Sequence, residues 1–201
     1  NASMTPSDSF EVTGGKTLRG ELIPQGAKNE ALQVMCATLL TEETVTLSNL
    51  PDIQDVRRLR DLLQGLGVKV ERRASDTWSF NASEVDLRFF ESESFRQNAQ
   101  RIRGSVMLIG PLLARFGQAY LPKPGGDKIG RRRLDTHFLG IQKLGADFHF
   151  DPRISSYSVQ ANRLKGAHIL MEEISVTGTA NVVMAAVMAE GTTTVFNAAC
   201  E

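Results

Sequence analysis

Apolar positions along the chain alternate between two periods, and the alternation itself recurs. From about Lys28 to Leu40, the residues Leu32, Met35, Cys36, Leu39 and Leu40 share one face at helical spacing. A second helix is expected after Asp55, carrying Val56, Leu59, Leu63 and Leu66 and closed by Gly67. A strand over Val68 to Glu71 should follow it. The same sequence of signals returns at Asp135, with Phe138, Ile141 and Leu144, then Gly145 and a strand over Asp147 to Phe150. Between them the spacing of Ile102, Val106, Ile109 and Leu113 predicts a long helix from about Asn98 to Phe116, with a kink at Pro111.

A longer-range likeness joins the two ends of the chain. Leu18-Arg19-Gly20-Glu21-Leu22-Ile23 matches Leu164-Lys165-Gly166-Ala167-His168-Ile169. Ala37 to Glu42, with a short strand ending at Asn49, matches Ala185 to Glu190, Thr192 to Val195 and Asn197. Each copy reads as strand, amphipathic helix, tight turn and β-branched strand. The second copy's helix is expected over Ala180 to Glu190, ended by Gly191. The pattern is an α/β chain of helix-strand units around a shared interior, the third unit cut off at Glu201.

Composition narrows the function classes. Lys plus Arg and Asp plus Glu both number 23, so the formal net charge is zero, and aromatics make up 6%. A dedicated nucleic-acid binder should show a basic excess and stacking aromatics, so no nucleic-acid partner is expected. No apolar run approaches membrane-spanning length and no signal segment opens the chain, so no membrane association is expected. Cys36 and Cys200 form no metal-ligand pattern, and Cys36 falls on an apolar helical face. The expectation is a reducing, cytoplasmic setting, in which the N-x-S matches at Asn1 and Asn81 are chance. Residues 1–3 read as a cloning remnant before a native Met4. His137, His149 and His168 have no metal or triad spacing, and no Walker or Rossmann fingerprint appears; no metal and no cofactor is expected.

The densest chemistry lies in Pro124-Gly125-Gly126-Asp127-Lys128-Ile129-Gly130-Arg131-Arg132-Arg133. A Gly-Gly turn presents one carboxyl group, and three arginines supply planar forks suited to phosphate oxygens. A mobile acid beside an anion clamp is a layout for proton transfer to a phosphorylated substrate. On composition alone, the plainer reading is a solvated glycine turn with a basic flank.

Several ordered motifs decide between these. Gly26-Ala27-Lys28-Asn29-Glu30-Ala31-Leu32, Gly110 to Gln118, the Pro124 to Asp135 loop, Leu164 to Ile169 and Ala189 to Thr193 resemble the UDP-N-acetylglucosamine enolpyruvyl transferases. The resemblance runs from about Phe10 to the last residue. It implies an inside-out α/β barrel in each of two domains, each built from three βαβαββ units with helices inside. It also implies that the chain is the N-terminal half of a two-domain protein. The domain would span 28–201 with its third repeat incomplete, and residues 4–27 would belong to the missing C-terminal domain.

The activity so implied is transfer of the enolpyruvyl group of phosphoenolpyruvate to the 3′-hydroxyl of UDP-N-acetylglucosamine, with release of phosphate, at the start of peptidoglycan synthesis. By the resemblance, Asp127 is the catalytic acid, at a position where the family usually carries cysteine. Fosfomycin resistance is then expected, because a carboxylate cannot form the drug's stable thioether. Lys28 and Asn29 are implied to contact phosphoenolpyruvate, with Arg132 serving both substrates. The implied UDP-sugar contacts are Arg103, Arg132, Arg133, Leu134, Asp135, Thr136, Ser175 and Val176. Glu173 departs from the family's frequent lysine, so no contact is expected there. The chain alone is expected to be inactive, since the base for the sugar hydroxyl and further arginines would lie in the missing half. The rivals are a 5-enolpyruvylshikimate-3-phosphate synthase-like transferase and a non-catalytic nucleotide-sugar-binding domain.

Overall fold

The structure is a computed structural model describing residues 11–97, 105–122, 135–152 and 156–200. The first unit runs α1 (Lys28–Ala37), a 3-10 turn at Thr38–Leu40, β1 (Val45–Leu47), α2 (Gln54–Gly65), β2 (Lys69–Arg72) and β3 (Trp78–Asn81). A 3-10 turn at Leu87–Glu91 and the short α3 (Glu93–Arg96) then bring Phe89, Phe90 and Phe95 into mutual ring contact. The second unit runs through a 3-10 turn at Val106–Leu108, α4 (Ile109–Phe116), β4 (Gln118–Pro122), α5 (Asp135–Lys143), β5 (Asp147–Asp151) and β6 (Ser156–Gln160). The third has β7 (His168–Leu170), α6 (Val176–Ala186) and β8 (Thr194–Phe196).

The repetition expected from sequence is visible in the pairing. Both three-stranded sheets are antiparallel with the last strand in the middle, β1-β3-β2 and β4-β6-β5. Val45 faces Phe80 in the first sheet and Leu121 faces Tyr157 in the second. In the third unit β7 and β8 are parallel, joined by α6 as the crossover. Asn49 and Asn197, matched in sequence, both adopt positive φ, 56° and 58°, just past β1 and β8. Asparagine is among the few side chains that tolerate this region. Gly67 and Gly145, the expected helix terminators, also share left-handed backbone, with φ of 100° and 104°.

Helices occupy the interior. α4 packs against α6, α5 against α6 and α1 against α2. Met35, Leu63, Leu112, Leu113, Val182 and Ala185 form a continuous core with Phe80 of β3 and Val159 of β6. Arg115, at the end of α4, ties the first two units together. Its guanidinium donates to the carbonyls of Leu39 (3.1 Å) and Ala82 (2.6 Å) and reaches Glu42 at 3.3 Å. Helices inside and strands outside agree with the expected architecture. The strands form three separate sheets, and no closed barrel is seen among the described residues.

Four expectations need correction. Leu18 to Ile23 forms no strand; Leu18, Leu22 and Ile23 are 85–91% exposed. Its sequence match becomes β7 only by pairing with β8, and among the described residues no strand pairs with residues 11–27. The helix expected over 180–190 is Val176–Ala186, because the Ser175 hydroxyl accepts from the Gly178 N–H (3.1 Å) and starts it earlier. Gly191 therefore lies in the turn before β8. Asp55 does not cap α2, whose N-cap is Ile53, and α5 already includes Asp135.

The fourth concerns the helix around Pro111, whose first residues, 98–104, lie outside the described residues. The backbone tightens into the 3-10 turn at Val106–Leu108, one turn before the proline, where the ring crowds the carbonyl four residues back. The buried Asn181 side chain of α6 enters this gap. Its Oδ1 accepts from the Gly110 N–H (2.6 Å) and its Nδ2 donates to the Val106 carbonyl (2.7 Å). One amide thus bridges Gly110 and Val106, the pair that an α-helical hydrogen bond joins directly. Among the described residues, no helix is long and apolar enough to cross a membrane.

Candidate functional site

The first turn of α1 carries two of the expected site residues, Lys28 and Asn29. Its N-cap, Ala27, makes no side-chain cap hydrogen bond. The equivalent position in the third unit is Ser175, which does cap its helix. Lys28 is the first residue of α1, where the positive end of the macrodipole disfavours a cation.

The chain leading into this turn is tightly constrained. A Cβ on Gly26 would lie 2.0 Å from the Asn49 carbonyl oxygen, so only glycine fits where the segment presses on the end of β1. Asn49 itself has a positive φ of 56°. With Gly26 so close to that carbonyl, the Gly26-Ala27-Lys28-Asn29 motif is fixed against a neighbouring strand end.

Lys28 Nζ contacts Asp55 Oδ2 at 3.2 Å, and Asp55 also has Arg58 at 4.0 Å. Both partners of the Lys28–Asp55 pair are about half exposed, so the pair contributes roughly 0–1 kcal/mol. Local sequence assigns Asp55 to a helix cap and gives no sign of this pairing; 27 positions separate the two residues, and only the packing of α1 on α2 brings them together.

Ser175 and Val176 stand at the start of α6, equivalent to Ala27 and Lys28 at the start of α1. The same helix end is tied down by the Thr179 hydroxyl, which accepts from Ala199 N–H at 3.1 Å, and by Asn197, whose side-chain amide donates to the Met171 carbonyl. Asp135 and Thr136 open α5. Asp127, Arg103, Arg132, Arg133 and Leu134 lie outside the described residues. Of the expected site residues, the structure places Lys28 and Asn29 together on one helix start and Ser175 and Val176 on another. Cys36 is not a candidate nucleophile: full burial pushes its thiol up to about 12.

Comparison with known proteins bears on the family and the fold. The sequence profile of the EPSP synthase (3-phosphoshikimate 1-carboxyvinyltransferase) family matches residues 12–201. A protein of Bacteroides thetaiotaomicron named UDP-N-acetylglucosamine 1-carboxyvinyltransferase is 59% identical over 193 residues, 96% of this chain and 44% of its own length. Proteins of the same name from Porphyromonas gingivalis and Borreliella burgdorferi are 56% and 42% identical, with the same coverage. The chain thus spans less than half the length of these relatives. Among solved structures, the enolpyruvyl transferase NikO from Streptomyces tendae superposes with a TM-score of 0.67 at 22% identity, over 90% of this chain and 41% of that one. EPSP synthase from Acinetobacter baumannii gives 0.63 at 16% identity, with the same coverage. At these identities the structural likeness establishes the fold. With the family profile matched across nearly the whole sequence, the chain belongs to the EPSP synthase (3-phosphoshikimate 1-carboxyvinyltransferase) family.

Proposed function

We propose that the protein of which this chain forms part transfers the enolpyruvyl group of phosphoenolpyruvate to the 3′-hydroxyl of UDP-N-acetylglucosamine, releasing inorganic phosphate. The carrying observation is the 59% identity, over 96% of the chain, to a relative named for that activity. The uncapped first turn of α1, with Lys28 beside it, supports the reading as a place for the donor's phosphate or carboxylate.

In this proposal a proton goes to the methylene carbon of phosphoenolpyruvate, and the adjacent carbon becomes electrophilic. The sugar hydroxyl adds there and loses its proton, giving a tetrahedral intermediate. The methyl group then gives back a proton as the C–O bond to phosphate breaks, restoring the double bond. Asp127 serves as the acid and later the base. An unperturbed aspartate titrates near about 3.9, against about 8.5 for a thiol, which is low for the first step. Ligand phosphates closing over the carboxyl group raise that value by like charge and desolvation. Lys28, Asn29 and Arg132 hold the donor. Arg103, Arg132, Arg133, Leu134, Asp135, Thr136, Ser175 and Val176 hold the nucleotide sugar. The setting is cytoplasmic peptidoglycan synthesis, the partner half is a C-terminal domain, and the enzyme resists fosfomycin.

The test is phosphate release by the full-length protein with phosphoenolpyruvate and either UDP-N-acetylglucosamine or shikimate 3-phosphate. Release with the nucleotide sugar, lost in Asp127→Asn, is expected. Release with shikimate 3-phosphate alone would assign the protein to the other acceptor. Binding of the nucleotide sugar without turnover would favour a binding domain.

A further inference from the structure

A second cationic cleft lies on the first unit, between the start of α2 and the β2–β3 hairpin. Its volume is about 590 Å³, counting the open solvent at its mouth, and Leu50, Pro51 and Val56 form its apolar wall. Trp78 of β3 lies against the Arg60 guanidinium, whose carbon is 3.8 Å from the ring centroid. That stacking fixes the plane of the group and leaves its N–H edge for other partners. Arg72, on β2, sits 5.8 Å from the same ring and donates from Nε to the Ala74 carbonyl (3.0 Å) and from Nη2 to the Ser75 carbonyl (3.1 Å).

The charges at the cleft do not balance. Asp52 is already engaged by Arg57 through two short bonds, 2.6 and 2.7 Å, which hold its carboxyl below its usual value. Arg60 and Arg72 have no ion-pair partner among the described residues. Burial, with repulsion from Arg57 and Arg72, lowers the pKa of Arg60 despite the nearby Asp61 and Asp52. Two guanidinium groups, each held in place by non-carboxylate contacts, line an apolar-walled hollow. This is the arrangement by which forked donors recognise an oxyanion.

We infer that the Arg60–Trp78–Arg72 cleft is a binding site for a small oxyanion, phosphate or carboxylate, separate from the first turn of α1. The inference does not rest on the proposed transferase activity. Arg60 supplies the exposed N–H edge, Trp78 holds it flat, and Arg72 adds the second charge.

Trp78 is the single tryptophan of the chain, so its indole N–H gives one unambiguous NMR signal at the site. That signal is followed while inorganic phosphate or acetate is added at constant ionic strength, with chloride as the balancing anion. A saturable shift with either oxyanion is expected, and which one saturates at lower concentration identifies the source of the group. Arg60→Gln and Arg72→Gln should each weaken binding about tenfold, equivalent to about 1.4 kcal/mol. Arg88→Gln, which removes an exposed arginine paired with Asp86, should leave it unchanged. A linear shift shared with chloride, or binding in both cleft variants as tight as in the unsubstituted protein, overturns the assignment. If Arg60→Gln loses its folded spectrum, Arg72→Gln decides.

Discussion

Replacing Asn181 should cost more stability than any exposed charge in the molecule. Its side chain is fully buried and holds α6 to the broken helix of the second unit through the Gly110 N–H and the Val106 carbonyl, 71 and 75 positions away. In Asn181→Ala, the buried Gly110 N–H loses its acceptor, at about 1–3 kcal/mol. The Val106 carbonyl, on a partly buried residue, adds up to about 1 kcal/mol. The expected loss is therefore about 1–4 kcal/mol, read as a shift in urea midpoint followed by circular dichroism. Asn181→Asp sharpens the test. A carboxylate can still accept from Gly110 but cannot donate to Val106, and burial raises its folded pKa above the unfolded value of about 3.9. The folded state then binds the extra proton. The variant should be most stable near pH 4 and weaken as pH rises through the folded pKa. A loss below about 1 kcal/mol in the alanine variant, with no pH dependence in the aspartate one, would show that the helix closes its own Gly110-to-Val106 bond and that the wedge is dispensable.

Other substitutions separate binding from folding. In the full-length protein, Lys28→Ala should change stability by less than about 1 kcal/mol. It should also lower kcat/KM for phosphoenolpyruvate at least about tenfold through loss of a charge-assisted contact; unchanged kinetics would remove Lys28 from the donor site. Gly26→Ala places a Cβ 2.0 Å from the Asn49 carbonyl and should disturb the start of α1, seen as weakened phosphoenolpyruvate binding by calorimetry. Cys200 is exposed and should react rapidly with a thiol reagent near pH 8, whereas buried Cys36 reacts only on unfolding. The raised Cys36 pKa also means that its contribution to stability is intact below about pH 9 and is lost as pH climbs toward about 12; early labelling of Cys36 in the native protein would contradict its burial.

Local patterning explains which parts of the fold were readable in advance. Val56, Leu59 and Leu63 repeat at helical spacing and are all buried on α2, and Gly67 ends that helix where a left-handed residue was expected. The matched asparagines 49 and 197 announced a repeated unit, and their backbones carry the same unusual φ. The site was legible in part, because Lys28 and Asn29 lie within one contiguous motif. The strand expected over Leu18 to Ile23 failed because a strand's hydrogen bonds are made by a neighbour, about which its own sequence is silent.

By itself, then, the sequence determined the helix faces, the repeat and the motifs that place the chain in its family, since each depends on residues close along the chain. Tertiary structure decided the rest. It set Asp55 against Lys28, wedged Asn181 into a helix of another unit, and brought Arg60 and Arg72 onto Trp78. Each is a meeting of side chains from separate elements, fixed by how the helices and sheets pack rather than by any local preference.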